Sequence, residues 1–459
     1  MSALFIFRRD FRLHDNLALN ELAKLNLKVI TIFIFDPSQL TNSYASKRAI
    51  TFMIESLKEL SNSLKSKKGK LYLAKGDPPK VIDTILRQNP KIQAVAFNRD
   101  FSPYSVTRDN KIIQICKKKN VQTITSDLDL VIHPYDAVLT AQKTPYTVFG
   151  SYYKKASKIK PPKPTTSNIK WDTSARINQT TFDTHTPNIQ NTIKGGRSHA
   201  IQILNKIKNK KFLSNYTKTR DNISNPTSLL SPHLKFGTIS IREAFPIFKK
   251  ANPTLTKQLY WRNHYFVLAY YRPAAGYYKA PPEYNKAQIA KTSAEWKRRF
   301  KAMWTGQTGF PIIDASVRQL NETGWMHNRG RLATANFSIK ILHLGMESGQ
   351  AQFSKQLIDC CYANNFGNWM WILGPNDPGG FRYGKKGTFS GRIFREAVNP
   401  KKIDPDLKFI RTWIPELKDI PDHHVARWDI HHTKYQIKYK PIVDFDKQLQ
   451  TWFKMTKKS

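Results

Sequence analysis

The fold of the second half of the chain is decided by NETGWMHNRGRLATANFSIKIL, residues 321–342, and by QLIDCCYANNFGNWMWILG, residues 356–374. Together the two stretches place Asn, Arg, Asp and Trp at positions where a fully buried helix would be expected to carry apolar residues. The apolar residues of the first stretch recur at helical spacing and predict one packed face. They are Leu332, Ala335, Ile339 and Leu342.

Polar side chains accompany this apolar face. Asn328, Arg331 and Leu332 lie three and four positions apart, so their side chains line one neighbouring surface of the same helix. A buried Arg is costly unless a carboxylate or a ligand satisfies it, and Asp359 is the candidate partner. The pattern favours a polar ligand held inside a helical domain; a structural ion pair between helices is the alternative.

Length and composition indicate a folded soluble protein. The 459 residues suffice for two or three domains, and 40% of them are hydrophobic. No run of eighteen apolar residues exists, which predicts no transmembrane helix, and the N-terminus lacks the apolar stretch of a signal peptide. We expect an intracellular protein, cytoplasmic or nuclear and not secreted, that is monomeric.

Cysteine and histidine usage argues against disulfides and metal sites. Cys116 and the adjacent Cys360 and Cys361 form neither a disulfide framework nor a thiolate metal site. The pairs 423–424 and 431–432 are both His–His, but no carboxylate or Cys spacing accompanies them. We predict that the protein binds no metal ion.

The charge is strongly basic. Seventy-five Lys and Arg face thirty-three Asp and Glu, for a formal net charge of +42. Such a field attracts a polyanion, and interleaved Tyr and Trp favour nucleic acid as the partner. The alternative is that the basic charge has no binding role and only reflects a proteome rich in Lys, Asn and Ile, which raises the pI.

Short β-branched runs alternate with amphipathic helices in the first part of the chain. This alternation predicts an α/β domain with a doubly wound parallel sheet. A ligand crevice is expected at the carboxyl ends of the strands, although no GxGxxG follows the first one. The predicted strands are residues 3–8, 28–35, 70–75, 93–97 and 121–125.

Two further regions follow. Residues 134–194 are rich in Pro, Thr, Asn and Lys, which predicts an interdomain linker between the domain of residues 1–133 and the rest. From residue 195 strand signals vanish and helical periodicity takes over. Residues 195–459 are therefore expected to form an all-helical domain.

A cluster of hydroxyls precedes an apolar run in NPTSLLSPHLKFGTIS, residues 225–240. Thr227, Ser228 and Ser231 stand where a helix is expected to begin. Hydroxyls and free backbone N–H groups at a helix start can cap the helix, and they can also bind phosphate. Both interpretations stay open on these residues alone.

Four motifs then occur in the order of one known family. They are LFIFRRDFRLHDNLAL, TSLLSPHLKFGTIS, QTGFPIIDASVRQLNETGWMHNRGR and ANNFGNWMW. The chain resembles the photolyase/cryptochrome flavoproteins, and among them most closely the cyclobutane pyrimidine dimer photolyases. This resemblance implies an N-terminal α/β antenna domain, a helical C-terminal domain that binds FAD and UV-damaged DNA, and either light-driven DNA repair or blue-light signalling.

The resemblance also implies which residues bind FAD. Arg331 and Asp359 would pair beside the isoalloxazine ring, and the amide oxygen of Asn365 would accept a hydrogen bond from flavin N5. Cys361 and Leu229 stand where the family usually carries Asp and Arg. The full set implied for the cofactor is Tyr216, Thr227, Ser228, Leu229, Leu230, Ser231, Arg262, Arg331, Asp359, Cys361 and Asn365.

Substrate residues are implied in the same way. Trp261 and Trp371 would stack on an extruded thymine dimer, and Arg220 would contact a phosphate nearby. The Gly-rich, basic stretch of residues 374–392 is predicted to order on the DNA backbone, with a solvated surface loop as the alternative. The residues implied for catalysis are Gln258, Trp261, Asn328, Asn365 and Trp371; those implied for DNA binding are Arg220, Gln258, Trp261, Asn328, Leu332, Trp371, Lys385, Lys386 and Arg392.

The expected lesion is inferred from three positions at which the two classes of photolyase usually differ. The (6-4) photolyases carry His at the positions of Asn328 and Leu332, where an acid is needed near neutral pH. Gln258 replaces the Glu that is usual in cyclobutane enzymes and is the (6-4) choice. We expect cyclobutane dimer repair; a (6-4) photolyase, a cryptochrome-like photoreceptor and a light-insensitive nucleic-acid-binding protein are the alternatives.

Two accessory functions are implied as well. In the family's electron-supply chain of three Trp, Trp369 matches the member nearest the flavin and Trp296 lies near the distal position, but Met346 occupies the middle one. Photoreduction is therefore expected to be slow or to follow another aromatic route. A folate or a deazaflavin antenna is possible in the family, and the crevice motifs do not separate them.

Overall fold

The computed structural model describes residues 1–41, 45–209, 212–271, 288–373 and 393–456. The chain divides into two compact units, each assembled from separate segments. The first unit comprises residues 1–215, 228–274 and 358–363; the second comprises residues 216–227, 275–357 and 364–459.

The first unit contains a five-stranded sheet. All neighbouring strands are parallel, in the order β3-β2-β1-β4-β5. The central strand β1 is buried along its whole length, as expected for a parallel sheet covered on both faces. The doubly wound α/β prediction is confirmed. The strands are β1 (Ser2–Phe7), β2 (Lys28–Phe35), β3 (Leu71–Lys75), β4 (Ile92–Asn98) and β5 (Gln122–Ser126).

Helices with well-formed starts connect these strands. Asp77 and Ser102 cap two of them through hydrogen bonds to backbone N–H groups, and each helix begins with Pro. A further helix lies inside the predicted linker, which the hydropathy pattern did not predict. The helices of this part are α1 (Leu17–Ala23), α2 (Pro37–Leu40), α3 (Lys47–Lys65), α4 (Pro78–Gln88), α5 (Pro103–Lys118), α6 (Phe149–Ala156) and α7 (Arg197–Lys208).

The rest of the chain is helical, as predicted. Within the described ranges the named strands all precede residue 127, and no helix is long and apolar enough to cross a membrane. The remaining helices are α8 (Tyr216–Thr219), α9 (Ser231–Phe236), α10 (Ile241–Ala251), α11 (Pro253–Tyr271), α12 (Ala294–Thr305), α13 (Pro311–Thr323), α14 (Asn328–Lys340), α15 (Met346–Gln356), α16 (Tyr362–Leu373), α17 (Lys408–Trp413), α18 (Asp422–Ala426), α19 (Trp428–His431) and α20 (Phe445–Met455).

Helix α14 confirms the helix predicted from the opening stretch. Ala335, Ile339 and Leu342 are buried, whereas Leu332 is half-buried. His327 caps the helix, because its Nδ1 accepts a hydrogen bond from the Arg329 N–H at 3.1 Å. The polar residues of the first turn thus stand at the open end of the helix.

A buried ion network holds the first unit together. Arg12 pairs with Asp129 at 2.5 Å, and Arg242 of α10 pairs with Asp15 at 2.8 Å and with Asp129 at 3.3 Å. All four side chains are at most 1% exposed. Buried charges persist when they are paired and hydrogen-bonded, so the loop after β1 and α10 depend on each other.

Candidate functional site

Ser228 and Ser231 of the hydroxyl cluster that the sequence singled out lie at the start of α9 in the first unit, whereas Thr227 belongs to the second unit. The N-cap position is Leu230, and no side chain caps it. The Ser231 hydroxyl instead donates to Asp359 Oδ2 at 2.6 Å, and Ser228 Oγ accepts from the Leu230 N–H at 3.4 Å. The structure does not show the helix capping that the sequence left open, and it brings Ser231 to Asp359.

The turn before this helix has a strained residue. Leu229 has φ of 52°, in the left-handed region that non-glycine residues rarely adopt. Its side chain is 36% exposed, so packing does not account for the conformation. Backbone strain of this kind concentrates at ligand sites, which agrees with a ligand role for residues 228–231.

Basic side chains hold the segment that contains Asp359. Lys235 Nζ donates to the Ile358 carbonyl at 2.9 Å, and Arg9 Nη2 donates to Cys361 Sγ at 3.6 Å. Burial lowers the pKa of Lys235 to about 8. The predicted cofactor residues Ser228, Ser231, Asp359 and Cys361 therefore cluster within one unit.

Arg262 of α11 has its guanidinium bonded to protein carbonyls. Nη1 donates to the Leu130 carbonyl and Nη2 to the Leu234 carbonyl at 3.3 Å. Burial lowers the pKa of Arg262 to about 10. Its position beside the α9 segment agrees with the predicted cofactor role, which no contact here tests.

Trp261, also in α11, stacks on an aromatic ring of the predicted linker. The Phe149 ring of α6 lies parallel to it, with centroids 3.6 Å apart and an interplanar angle of 8°. The sequence missed Phe149, although VFGSYY is rich in aromatic residues. One turn earlier, Gln258 is half-buried and donates from Nε2 to the Thr254 carbonyl at 3.0 Å.

Asn365 in the second unit has an oriented amide. Its Nδ2 donates to the Gln350 carbonyl at 3.3 Å and to Ser354 Oγ at 3.4 Å. No described residue donates a hydrogen bond to its Oδ1. This orientation leaves an acceptor oxygen, as the predicted contact with flavin N5 requires.

Trp369 on the same helix, α16, is 2% exposed and packs directly on Gly349. A Cβ built on Gly349 would approach the Trp369 ring to 2.1 Å, so only glycine fits there. The Phe353 ring meets Trp369 edge to face at 5.2 Å between centroids, and Trp304 meets Phe353 at 5.9 Å. An aromatic series thus reaches Trp369 through Phe353.

The other predicted electron carrier lies apart from this series. Trp296 stacks on Phe300 at 4.5 Å and donates from Nε1 to the Leu344 carbonyl at 3.2 Å. Where the chain is described, no ring contact joins Trp296 to Trp369 or Phe353. Met346, at the expected middle position, is fully buried.

The first turn of α14 and the α8 region form a charged group in the second unit. Asp221 accepts from Arg220 Nε at 3.1 Å and from Arg329 Nη2 at 2.5 Å. Partial burial raises the pKa of Asp221, but the hydrogen bonds and charge of Arg329 and Arg220 outweigh it and lower the pKa overall. Arg331 is half-buried and donates from Nε to the Met326 carbonyl at 2.8 Å.

The remaining predicted residues are placed as follows. Asn328 is exposed, Tyr216 and Thr227 are half-buried, and Trp371 meets Phe394 at 6.2 Å. The pairing of Arg331 with Asp359 stays a prediction, because the two belong to different units. Lys385, Lys386 and Arg392 lie outside the described residues.

The first unit also contains the crevice expected at the carboxyl ends of the strands. It has a volume of about 290 Å³, near the lower end of ligand pockets at roughly 300–1,000 Å³. The ends of β1, β2 and β4 supply Arg8, Asp36 and Asn98 to its wall, and α5 supplies Arg108. Sequence reasoning placed this crevice but did not single out its arginines.

Comparison with known proteins decides the family. Residues 3–168 match the family described as DNA photolyase, and residues 254–458 match the FAD binding domain of DNA photolyase. A deoxyribodipyrimidine photo-lyase of Alkalihalophilus pseudofirmus is 32% identical, over 96% of this chain and 95% of the relative. The chain belongs to the DNA photolyase/cryptochrome family. The resemblance stated from the motifs is confirmed.

Two further relatives mark the range of the family. A photolyase of Sulfolobus tokodaii, whose crystal structure has two FAD molecules and implies a novel light-harvesting cofactor, shares 32% identity over 99% of both chains with a TM-score of 0.85. A (6-4) DNA photolyase of Arabidopsis thaliana is 28% identical over 92% of this chain and 80% of its own length. Family membership alone does not choose the lesion.

The described residues fit FAD, which the matched domain binds in the family. In the first unit Ser228 and Ser231 carry hydroxyls beside the strained Leu229, and Arg262 carries a guanidinium, a group that can bind phosphate. In the second unit Asn365 Oδ1 is an acceptor to which no described residue donates. Taken separately, the first set has the chemistry to bind the phosphates of a flavin nucleotide and the second the chemistry to bind a protonated ring nitrogen.

Proposed function

We propose that this protein repairs UV-damaged DNA by splitting cyclobutane pyrimidine dimers in light. The electron that opens the cyclobutane ring, and returns afterwards, comes from excited reduced FAD bound to the chain. The chain itself has three tasks: to bind the DNA, to receive the extruded lesion and to favour the reduced cofactor. Each task has a candidate residue set.

The choice of the cyclobutane dimer over the (6-4) product depends on one feature of α14. Among the residues described, the first turns of α14 carry no imidazole that can act as an acid near neutral pH. Asn328 and Leu332 occupy the two positions where the (6-4) photolyases carry His. His327 is 2% exposed, and burial together with Arg331 and Arg329 lowers its pKa to about 4. Cyclobutane repair needs no such acid.

Trp261 is the proposed platform for the extruded dimer. Phe149 stacks on one face of its indole, which helps to hold the ring plane, and the opposite face is proposed to receive a base. Flipping a lesion out of a duplex costs a few kcal/mol, and stacking on an aromatic ring is worth about 1–3 kcal/mol per base. Trp371, in the second unit, is also proposed to stack on the extruded dimer.

The basic charge supports binding of the duplex without a sequence preference. A net charge of +42 attracts the phosphate backbone, and recognition of a lesion needs few contacts to base edges. Arg220, and the basic residues of the stretch 374–392, are proposed to hold phosphates. We also propose that residues 134–194 link an antenna domain of residues 1–133 to a domain of residues 195–459 that binds FAD and DNA.

The crevice of the first unit is proposed to bind a light-harvesting cofactor. It lies at the carboxyl ends of parallel strands, the usual ligand position in such sheets. The Sulfolobus relative supports a second cofactor in the family. Such a cofactor broadens the light that the enzyme uses but takes no part in the bond cleavage.

The test uses purified protein and oligonucleotides that carry one cyclobutane dimer or one (6-4) product, in light and in darkness. We expect light-dependent repair of the dimer only. Trp261→Ala should weaken dimer binding by about 1–3 kcal/mol, whereas Trp413→Ala, another half-buried Trp, should not. Repair of the (6-4) product alone, or of neither, overturns the proposal.

A further inference from the structure

The strands of the first unit begin beside lysines and end beside aspartates. Lys28, Lys70 and Lys91 stand at or directly before the first residues of β2, β3 and β4, and three lysines at 117–119 precede β5. An Asp follows the end of every strand by one to three residues. Because all strands are parallel, the lysines lie at the amino edge of the sheet and the aspartates at the opposite edge. These aspartates are Asp10, Asp36, Asp77, Asp100 and Asp127.

The lysines of the amino edge form one surface, here called the lysine edge. Ser2 pairs with Lys28 across the sheet and donates from its N–H to the Lys91 carbonyl at 3.0 Å, and Thr31 Oγ1 donates to the Lys70 carbonyl at 2.7 Å. Neighbouring strands lie 4.7–4.9 Å apart, so the five strands span about 19 Å. The lysine edge comprises Lys24, Lys28, Lys65, Lys67, Lys68, Lys70, Lys91, Lys117, Lys118 and Lys119, all exposed except the half-buried Lys119.

Few carboxylates balance these ten lysines. In the described part of the chain two of the ten form ion pairs, one with Glu21 at 2.6 Å and one with Asp83 at 3.2 Å. Asp172 lies near Lys28 but forms its hydrogen bonds with Ser2 and Ser174. The lysine edge therefore carries a large excess of positive charge that faces solvent.

Two simpler explanations account for only part of this excess. Lys65, Lys117 and Lys118 lie in the last turns of α3 and α5, where a cation stabilises the helix dipole. That effect ends with the last turn, and Lys70 and Lys91 lie beyond the helices that precede them. A Lys-rich composition adds lysines throughout a chain, but it does not place lysines at one edge of a sheet and an Asp after each strand at the other.

We propose that the lysine edge binds the phosphate backbone of a second DNA duplex, separate from the duplex that carries the lesion. Its span of about 19 Å covers about five or six base-pair steps of 3.4 Å. Of the large hydrophobic residues that are exposed in the described ranges, only Met1 lies at this edge. The edge thus offers no aromatic ring for stacking on single-stranded bases and little apolar surface for insertion into a membrane.

The lysine edge lies on the far side of the sheet from Trp261. Arg262 donates to the Leu130 carbonyl, and the Ile132 N–H donates to Asn263 Oδ1 at 2.6 Å. These contacts hold this part of α11 beside the loop that follows the carboxyl end of β5. The strands between the two edges have 5–8 residues, roughly 17–26 Å. DNA is stiff over about 150 base pairs, so a short duplex bound at Trp261 does not bend round to the lysine edge.

The test counts the duplexes that bind to FAD-bound protein. A short undamaged duplex in excess is followed by sedimentation, and the wild type should bind two. The lysine-edge variant should bind the second duplex at least ten-fold more weakly. Each phosphate contact that is lost lowers the slope of log K against log salt by about 0.9, so this slope should fall by up to about 3.6. The variant combines Lys28→Gln, Lys70→Gln, Lys91→Gln and Lys118→Gln.

A matched control removes the same charge elsewhere in the first unit and should still bind two duplexes. Arg in place of Lys at the four positions of the lysine-edge variant should also preserve the second duplex. Bound FAD and the melting midpoint report folding, and the lysine-edge variant should repair dimers at the wild-type rate. The control combines four exposed positions, Lys47→Gln, Lys58→Gln, Lys80→Gln and Lys111→Gln.

Four results overturn the inference. They are a wild type that binds one duplex, an unchanged second duplex in the lysine-edge variant, equal losses in that variant and the matched control, and a variant that loses binding to phosphatidylserine vesicles but not to DNA. The second site and the repair activity fail separately. Dimer repair by a protein that binds one duplex refutes only the second site, whereas a second duplex without repair refutes only the proposed function.

Discussion

At the scale of single residues, Asn365 illustrates how the protein determines the chemistry of a side chain. Both hydrogens of its amide nitrogen are directed to acceptors on α15, Gln350 and Ser354. Its oxygen is thereby held in one orientation rather than free to exchange places with the nitrogen. An oxygen so placed can stabilise a protonated flavin N5.

Replacing Asn365 by Ala should destabilise the reduced cofactor. The loss of one hydrogen bond, about 0.5–1.5 kcal/mol, predicts a ratio of reduced to oxidised FAD that is roughly two- to twelve-fold smaller in a fixed redox buffer. Absorbance of the bound flavin measures this ratio. Asn368→Ala, an exposed position on the same helix, should have no effect; an unchanged ratio in Asn365→Ala would remove Asn365 from the flavin contact.

Single residues also show the limit of sequence reasoning. Ser231 and Asp359 could be proposed from hydroxyl and carboxylate chemistry, and the structure joins them. Phe149 could not, because its role depends on Trp261, whose position relative to it follows from packing. Arg8 and Arg108 of the crevice could not either, because only the fold brings them to the same carboxylate, Asp109.

At the scale of elements, the predicted strands and helices agree with the structure where burial is periodic. The five predicted strands match those observed to within one or two residues at each end, because each is a compact run of apolar and β-branched residues. Helix α6 was missed since Pro, Thr and Lys on either side obscure its short aromatic stretch. It owes its place to packing on α11.

The aromatic series across α12, α15 and α16 predicts how oxidised flavin is photoreduced. With Met346 at the usual middle position, Trp304 is connected to Trp369 by Phe353, and Trp296 is not. Bleaching under blue light with dithiothreitol should therefore be slower in Trp369→Phe and Trp304→Phe, and nearly unchanged in Trp296→Phe.

The outcomes of this bleaching assay separate the routes. Equal rates in the wild type and Trp369→Phe would remove Trp369 from electron supply. Slow bleaching in Trp296→Phe together with normal bleaching in Trp304→Phe would favour electron transfer through Trp296, the distal residue implied by the family resemblance, over the series through Phe353. Bound FAD and the melting midpoint serve as controls for folding in each variant.

At the scale of the whole molecule, buried histidines make stability depend on pH. Burial lowers the pKa of His233 to about 3 and that of His264, His327 and His343 to about 4. An unfolded His has a pKa of about 6.5. Below that value the unfolded chain binds protons that the folded chain excludes, so stability present above pH 6.5 is lost as pH falls towards 4.

We expect the thermal midpoint to drop steeply between pH 6.5 and pH 4. Each such His contributes up to about 1.4 kcal/mol per pH unit. Burial raises the pKa of Asp314 to about 6. As the pH falls below 6, protonation of Asp314 favours the folded state and offsets the destabilisation from one of the four histidines. His264→Phe, which keeps the aromatic packing around Phe149 and Tyr152, should make the decline shallower. A midpoint that does not change with pH would contradict this account.

The ion network of Arg12, Asp15, Asp129 and Arg242 has a consequence for synthesis on the ribosome. A nascent chain that has reached residue 215 contains the whole sheet, yet Arg242 has not been made, so Asp129 has only its ion pair with Arg12 and Asp15 lacks its ion pair with Arg242. The segment 358–363 arrives later still. The first unit can complete its folding only after most of the polypeptide has left the exit tunnel. The partly folded nascent chain must therefore avoid aggregation until these later segments emerge.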